Sequence, residues 1–123
     1  MDGIKVLCVE NHPESMATLK CMLEGIGCDV MPATSAEEAL DLLANQTVDG
    51  VLLEDNLPCA SGVTIRCQMK TIRPEVPVFV FAGISRQTPF MVRFFYAYLH
   101  KKEQIGDFPE DLNCEQDGLF VSR

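Results

Sequence analysis

Four short apolar runs, separated by segments with helical spacing, constrain the fold of this chain more than any other feature. The runs lie at residues 4–9, 28–32, 48–53 and 76–82. Each is too short for a helix, and the apolar residues between them recur every three or four positions, as in helices with one buried face. Strands that alternate with helices of this length favour a parallel sheet covered on both faces, joined by right-handed crossovers. We therefore predict an α/β fold.

Residues that typically start and stop helices lie between these runs. Pro13 has the fixed backbone angle that suits a first helical position, and Gly27 follows the end of that helical pattern. Ser35 and Glu38 form a capping box, in which a hydroxyl and a carboxylate satisfy backbone amides at the helix start. A third helix is predicted over residues 63–72.

Length, charge and cysteine spacing exclude several classes of protein. The 123 residues, 47% of them apolar, match one compact domain over residues 1–123. A net charge of -8 argues against a nucleic-acid surface, because phosphate backbones require a basic patch. No apolar run reaches the roughly 20 residues of a membrane span, so we expect a cytoplasmic protein without membrane contact. The six cysteines include no C-x-x-C pair, which favours reduced thiols in the core over a zinc site or a disulfide framework.

Polar and small residues follow three of the predicted strands. Glu10 and Asn11 follow the first strand, Glu54 follows the third, and Ala82 ends the fourth. Parallel sheets place their functional groups beyond the carboxyl ends of the strands, at the switch in strand order. We therefore expect these residues to converge on one edge of the sheet.

The segment DGVLLEDNLPCASG, residues 49–62, resembles the phosphoacceptor segment of response-regulator receiver domains. In that family an aspartate ends the third strand, a proline follows four residues later and a glycine four after that. Glu54, Pro58 and Gly62 take those places here. The resemblance covers residues 4 to about 83, with residues 84–123 divergent. It implies a flavodoxin-like, doubly wound sheet of strand order 2-1-3-4-5 and a role in phosphorelay signal transduction.

Receivers hold magnesium with an acidic pair after the first strand, the acceptor aspartate and the backbone carbonyl two residues after it. By this resemblance the ligands here would be Glu10, Glu54 and Asn56, while Asn11 replaces the second acid. Magnesium prefers carboxylates in near-octahedral geometry. The amide and the longer arm of glutamate therefore predict weak magnesium binding at most, and we expect no other cofactor.

Two further departures concern the phosphoryl group. Ala82 replaces the threonine or serine whose hydroxyl binds that group in receivers, and alanine has no donor. The lysine–proline pair that follows the fifth strand in receivers is missing after residue 83. Its nearest match is the segment GLFVSR, in which Ser122 and Arg123 would replace lysine and proline, and the family's last helix would be absent. With Glu54 and Asn11, these departures predict a coordinated loss of phosphorylation. Alternatively, Glu54 mimics the phosphorylated aspartate, with about -1 charge against about -1.5 to -2 for a phosphoryl group.

The segment PFMVRFFYAYLHKK, residues 89–102, predicts a helix with Thr88 as N-cap and Pro89 in the first turn. Its apolar residues cover roughly 200° of the helix, twice what one core face requires. Either the helix is wedged deeper into its own core, or it forms an interaction surface, most simply in a symmetric homodimer. Beyond residue 103 the sequence is acidic and aperiodic. The residues predicted to form the interaction surface are Phe90, Met91, Phe94, Phe95, Tyr98 and Leu99.

These observations predict a receiver-like domain that is not phosphorylated, is not an enzyme and acts as a protein-interaction module. Its partner would be a histidine kinase or another regulator. The alternative is a functional receiver that takes phosphoryl groups from a histidine kinase. A flavodoxin-like cofactor binder would need a glycine-rich phosphate loop after the first strand, and ENHPES has no glycine. His12 and Cys59 are interpreted as a helix-entry residue and a loop thiol, because neither has an evident activating partner.

Overall fold

The computed structural model describes residues 3–105 and 119–120, with side chains described through residue 101. Strands and helices alternate along the chain, which confirms the predicted α/β fold. In chain order the elements are β1 (Lys5–Val9), α1 (Pro13–Gly25), β2 (Asp29–Ala33), α2 (Ala36–Asn45), β3 (Gly50–Glu54), α3 (Gly62–Ile72), β4 (Val78–Phe81), α4 (Thr88–Ile105) and β5 (Leu119–Phe120).

The strands form one parallel sheet of order β2-β1-β3-β4-β5, as predicted. The short strand β5 comes from the segment GLFVSR and pairs with the end of β4. Ser122 and Arg123, predicted to replace lysine and proline, lie outside the described residues, as do residues 106–118 of the acidic segment. Order 2-1-3 places β1 and β3 side by side, so their carboxyl ends meet at the centre of the sheet.

Two apolar clusters cover the two faces of the sheet. One lies under α2 and α3, and the other lies under α1 and α4. Strand β3 shows the alternation that separates them: Val51 and Leu53 belong to the first cluster, and Leu52 between them belongs to the second. All three side chains are fully buried, as expected for a central parallel strand.

The start of α2 has the predicted hydroxyl cap, with one change of partner. The Ser35 hydroxyl accepts a hydrogen bond from the Glu38 amide at 3.1 Å. The Glu38 carboxylate accepts instead from the backbone N–H of Thr34, at 2.9 Å. Both side chains still satisfy amides at the helix start, so the capping box anchors α2 after β2.

The start of α4 differs from the prediction. Thr88 is not the N-cap but the first residue of the helix, and its hydroxyl accepts a hydrogen bond from the Ser85 amide at 2.7 Å. The Ser85 hydroxyl accepts in turn from the Gln87 amide at 3.1 Å. These reciprocal bonds fix the turn between β4 and α4. Within the described part of the chain, no helix, α4 included, combines the length and the apolar character needed to cross a membrane.

The described cysteines are free thiols, as predicted, but only two of them lie in the core. Cys8 and Cys28 are buried, and burial is the main cause that raises the pKa of Cys8 to about 12 and that of Cys28 to about 11. Such thiols stay protonated at neutral pH and are poor nucleophiles. The exposed cysteines are Cys21, Cys59 and Cys67.

Candidate functional site

The carboxyl ends of β1, β3 and β4 bring the predicted residues together at one edge of the sheet. Glu10 follows β1, Glu54 is the last residue of β3, and Ala82 follows β4. The two glutamates are almost completely buried, with 1% and 3% of their surface exposed. The charge of Glu10 acts on the carboxyl group of Glu54, so the two groups belong to one site. Buried carboxyl groups are rare and require partners, so the bonds of this pair define the site.

Both oxygens of Glu54 accept hydrogen bonds from backbone amides. Oε2 accepts from the Asn56 N–H at 2.9 Å, and Oε1 accepts from the Gly83 N–H at 3.1 Å. The Gly83 backbone has φ +73°, a left-handed conformation that glycine adopts at little cost. The two donors come from the loops after β3 and β4, so the Glu54 carboxylate ties these loops together. The Ala82 methyl group beside Gly83 contributes no donor.

Burial raises the pKa of Glu54, and the charge and hydrogen bond of Glu10 raise it further. The backbone amides of Asn56 and Gly83 act in the opposite direction, because they stabilise the ionised carboxylate. The net direction is upward. Two carboxyl groups in contact repel when both are ionised, so the site favours a proton or a cation between them.

Glu10 has one satisfied and one unsatisfied oxygen. Oε2 accepts from the His12 backbone N–H at 3.1 Å and lies 3.3 Å from His12 Nδ1. Within the described residues, Glu10 Oε1 and Asn11 Oδ1 are buried without a hydrogen-bond partner. The sequence analysis did not predict the contact between His12 and Glu10. The only signal for it in the sequence is the spacing of the two residues in VENHP. The His12 side chain is 70% exposed, so His12 borders the site from the solvent side.

The structure buries three of the six residues predicted to form an interaction surface on α4. Phe90 and Phe94 remain 67% and 49% exposed. Tyr98 is half-buried, with its ring edge-on to Phe79 at a centroid distance of 5.3 Å. The available surface is therefore narrower than predicted. The three residues packed in the domain's own core are Met91, Phe95 and Leu99.

Comparison with known families settles the classification of this chain. The model of the response regulator receiver domain matches residues 6–107. The chain belongs to the receiver domain family. Among curated relatives, the cell cycle transcriptional regulator CtrA of Caulobacter vibrioides is 28% identical over 82 residues, 67% of this chain and 36% of that protein. Transcriptional regulatory protein ZraR of Escherichia coli K12 is 27% identical over 84 residues, 68% of this chain and 19% of that protein.

Solved structures show the same fold. A CheY-like receiver domain protein from Methanospirillum hungatei JF-1 superposes with TM-score 0.72 at 18% identity, covering 85% of this chain and all of that one. The receiver domain of the Francisella response regulator 1452 superposes with TM-score 0.69 at 17% identity, covering 85% of this chain and 99% of that one. The chain spans about a third or less of the length of the curated relatives above. The shared part is therefore the receiver, with its fold.

The oxygens of this receiver fit magnesium only in part. The unsatisfied Glu10 Oε1 and Asn11 Oδ1 are oxygens that a cation would satisfy. Both Glu54 oxygens already accept backbone hydrogen bonds, which leaves them less able to serve as ligands. The described residues contain no group of three or more His, Cys, Asp or Glu side chains that could hold a metal ion. Glu10, Asn11 and the Asn56 carbonyl would hold magnesium, with Glu54 at its edge, and weak binding remains our prediction.

Asn11→Asp should tighten magnesium binding by about tenfold or more, or roughly 1.4 kcal/mol. The change adds a second anionic oxygen beside Glu10, and magnesium favours carboxylates over amides. Calorimetric titration with magnesium and the amide chemical shifts of residues 10, 11, 54 and 56 measure the effect. Asn45→Asp makes the same chemical change at an exposed position on α2 and serves as the control. Saturation of the unmodified protein at submillimolar magnesium would contradict the prediction.

The loop after β3 is fastened at Gly62, the first residue of α3. The Gly62 N–H donates to the Asp55 carbonyl and to Asp55 Oδ1, both at 3.0 Å. A Cβ atom at Gly62 would lie 2.9 Å from Asp55 Cα and 2.9 Å from Val80 Cγ1, closer than real Cβ contacts allow. Because one of these atoms belongs to the backbone, the loop would have to move. Close packing therefore leaves no room for a side chain at Gly62.

Gly62→Ala should lower the free energy of unfolding by roughly 1–3 kcal/mol, through overpacking. Gly25→Ala is the matched control, since a Cβ atom at the end of α1 meets nothing within 4 Å. That substitution should leave stability unchanged or raise it by up to about 1 kcal/mol. Urea unfolding, monitored by circular dichroism, measures the free energy of unfolding of both variants. Equal effects of the two substitutions would show that the space at Gly62 does not matter.

Proposed function

We propose that this receiver domain takes no phosphoryl group and acts in signal transduction by binding other proteins. The observation that carries the proposal is the double hydrogen bond of Glu54 to the amides of Asn56 and Gly83. A nucleophilic carboxylate needs an oxygen free to attack, and Glu54 is only 3% exposed. The two amide donors draw electron density from both oxygens, and burial keeps a phosphodonor away from them.

The proposal is also supported by what the pocket holds in place of a phosphoryl group. Glu54 occupies the edge of the sheet with its own carboxyl oxygens and joins the loops after β3 and β4. When ionised, its charge of about -1 is smaller than the -1.5 to -2 of a phosphoryl group. Asn11 and Ala82 supply neither the second acid nor the hydroxyl of a receiver that switches. We infer a domain held in one conformational state by its own side chain.

The alternative, a phosphoacceptor receiver served by a histidine kinase, is supported by the family membership itself. Receiver domains interact with kinases and other signalling proteins, and CtrA and ZraR are both named regulators of transcription. Those observations favour a signalling partner for this chain under either function. They do not favour Glu54 as an acceptor, because its carboxyl group is buried and held by two backbone amides. We propose no catalytic activity of the domain itself.

The proposed binding surface is the exposed part of α4, at Phe90 and Phe94. Tagged protein in an extract of its native cells should capture a signalling protein, identified by mass spectrometry. Phe90→Ser with Phe94→Ser should abolish the capture, because it removes the exposed aromatic surface at a small cost in stability. Acetyl phosphate should leave the capture unchanged. Capture that requires the phosphodonor would overturn the proposal in favour of the phosphoacceptor.

A symmetric homodimer through the same surface remains a prediction. Each copy would bring Phe90 and Phe94 to the two-fold axis, and Arg86 and Arg93 with them. We expect a dimer only at high micromolar concentration, strengthened by added salt, because salt screens the repulsion between the arginines. Light scattering across concentration at low and high salt measures this, with the double serine variant as a monomeric control. A strict monomer under all conditions would contradict the prediction.

A further inference from the structure

The exposed beginning of α4 is basic, although the protein is acidic. The chain has 18 acidic and 10 basic residues. Between Glu75 and Glu103, however, the sequence contains no aspartate or glutamate and includes Arg86 and Arg93. The first turn of α4 also contains no acid. An unbalanced positive charge on a negative protein marks a surface that attracts anionic groups.

These two arginines flank the exposed aromatic rings. Arg86, Pro89, Phe90, Arg93 and Phe94 line an open groove of about 510 Å³. Phe90, Arg93 and Phe94 share one face of the helix because they are three and four residues apart, and Arg86 reaches the same groove from the preceding turn. Both arginine side chains are exposed. Within the described part of the chain, neither forms an ion pair.

We propose that this groove binds an acidic segment of another protein whose apolar side chains alternate with aspartate or glutamate. The inference rests on the proposed function and names the chemistry of its partner. Apolar side chains of the segment would cover Phe90 and Phe94. Carboxylates on either side would bind Arg86 and Arg93, since the guanidinium group binds carboxylates through two parallel hydrogen bonds. Aromatic and arginine side chains together are typical of the energetic centre of protein interfaces.

Charge favours this occupant over the others. In a symmetric dimer, Arg86 and Arg93 of both copies would meet around one axis, and like charges there weaken the contact. A nucleic acid has a negative charge on every nucleotide and would need a basic surface wider than two arginines on a chain of net charge -8, whereas a short acidic segment needs to place only two carboxylates. An acidic segment gains the same two arginines at close range, where the pairs are partly shielded from water.

Selection from a random 12-residue display library against the immobilised full-length protein tests the proposal. Enriched peptides should combine aspartate or glutamate with leucine, phenylalanine or tryptophan. Arg86→Glu with Arg93→Glu should enrich peptides in which lysine or arginine replaces the acids, while the apolar residues stay. Lys20→Glu with Lys101→Glu changes the total charge equally outside the groove and should leave the selection as in the unmodified protein.

A synthetic peptide from that selection should bind the unmodified protein at least tenfold more tightly than the Arg86→Glu, Arg93→Glu variant, and more weakly at high salt. Hydrogen exchange should show protection at residues 86–94. The proposal would be overturned if the selected peptides contained no more aspartate and glutamate than the unselected library. It would also be overturned if the synthetic peptide bound the unmodified protein and the double arginine variant with equal affinity. Tenfold tighter peptide binding after neutralising Asp107, Glu110 and Asp111 would also overturn it, by identifying this chain's own acids as the occupant.

The outcomes separate this inference from the function on which it rests. Peptides that need Phe90 and Phe94 but lack acids would overturn the charge assignment alone. The proposed binding role of α4 would then stand. If neither the selected peptides nor the captured cellular protein responded to Phe90→Ser with Phe94→Ser, both would fail.

Discussion

Incubated with magnesium and acetyl phosphate, the protein should keep its mass. Glu54 would need an accessible, nucleophilic oxygen to attack phosphorus, but the residue is 3% exposed and both oxygens accept backbone hydrogen bonds, at 2.9 and 3.1 Å. Magnesium would be held weakly, because Asn11 stands where the family has its second acid. Intact mass spectrometry at neutral pH measures the result, and phosphoramidate serves as a second small donor. A hydroxylamine-labile gain of one phosphoryl mass on Glu54 or Asp55 would contradict it.

A variant that restores three of the family's residues is the positive control for this experiment. Glu54→Asp shortens the arm and withdraws the carboxylate from the Asn56 and Gly83 amides, so that its oxygens become free. Asn11→Asp restores the second acid, and Ala82→Thr restores the hydroxyl that binds the phosphoryl group in receivers. The triple variant should gain the phosphoryl mass. Glu54→Asp alone should not restore full switching, because Ala82 still lacks a donor.

The sequence predicted which residues meet at the site but not how they bond. Glu10, Glu54 and the end of β4 converge because parallel strands present their carboxyl ends on one edge, which depends only on topology. The bond from the Gly83 amide depends on a backbone angle of +73°, for which the only signal was the glycine in VFAG. The contact of His12 with Glu10 depends on how the chain turns after β1, and residue spacing does not determine that turn.

For α4, residue spacing predicted the width of the apolar arc but not its division between core and surface. Phe94 and Phe95 are consecutive, yet one is 49% exposed and the other is fully buried. The rotation of the helix on the sheet decides between them, and that rotation depends on packing against β4. The predicted start of α4 was also wrong, because residue spacing does not determine which hydroxyl caps the helix. A hydroxyl at either Ser85 or Thr88 can cap. The Ser85 amide donates to the Thr88 hydroxyl and the Thr88 amide donates to the Ser85 carbonyl, and the helix starts at Thr88.

Phe95→Ala should lower the free energy of unfolding by about 3–5 kcal/mol, because it leaves a cavity in the core. The Phe95 ring packs edge-on against Phe79 at a centroid distance of 5.0 Å and is fully buried. Domains of this size have about 5–15 kcal/mol in total, so the loss is a large fraction of the stability. Urea unfolding should show a lower midpoint with an unchanged slope.

Phe94→Ala is the matched control, since it removes the same side chain from the neighbouring position. Its ring reaches Phe79 only at a centroid distance of 6.4 Å and is half exposed, so the loss should be about 1 kcal/mol or less. The effects on binding should be the reverse: Phe94→Ala should weaken partner capture, while folded Phe95→Ala should retain it. If Phe94→Ala cost as much stability as Phe95→Ala, the Phe94 ring would belong to the core. The exposed face of α4 would then be too small to bind a partner, because Phe90 would be its only large apolar side chain among the described residues.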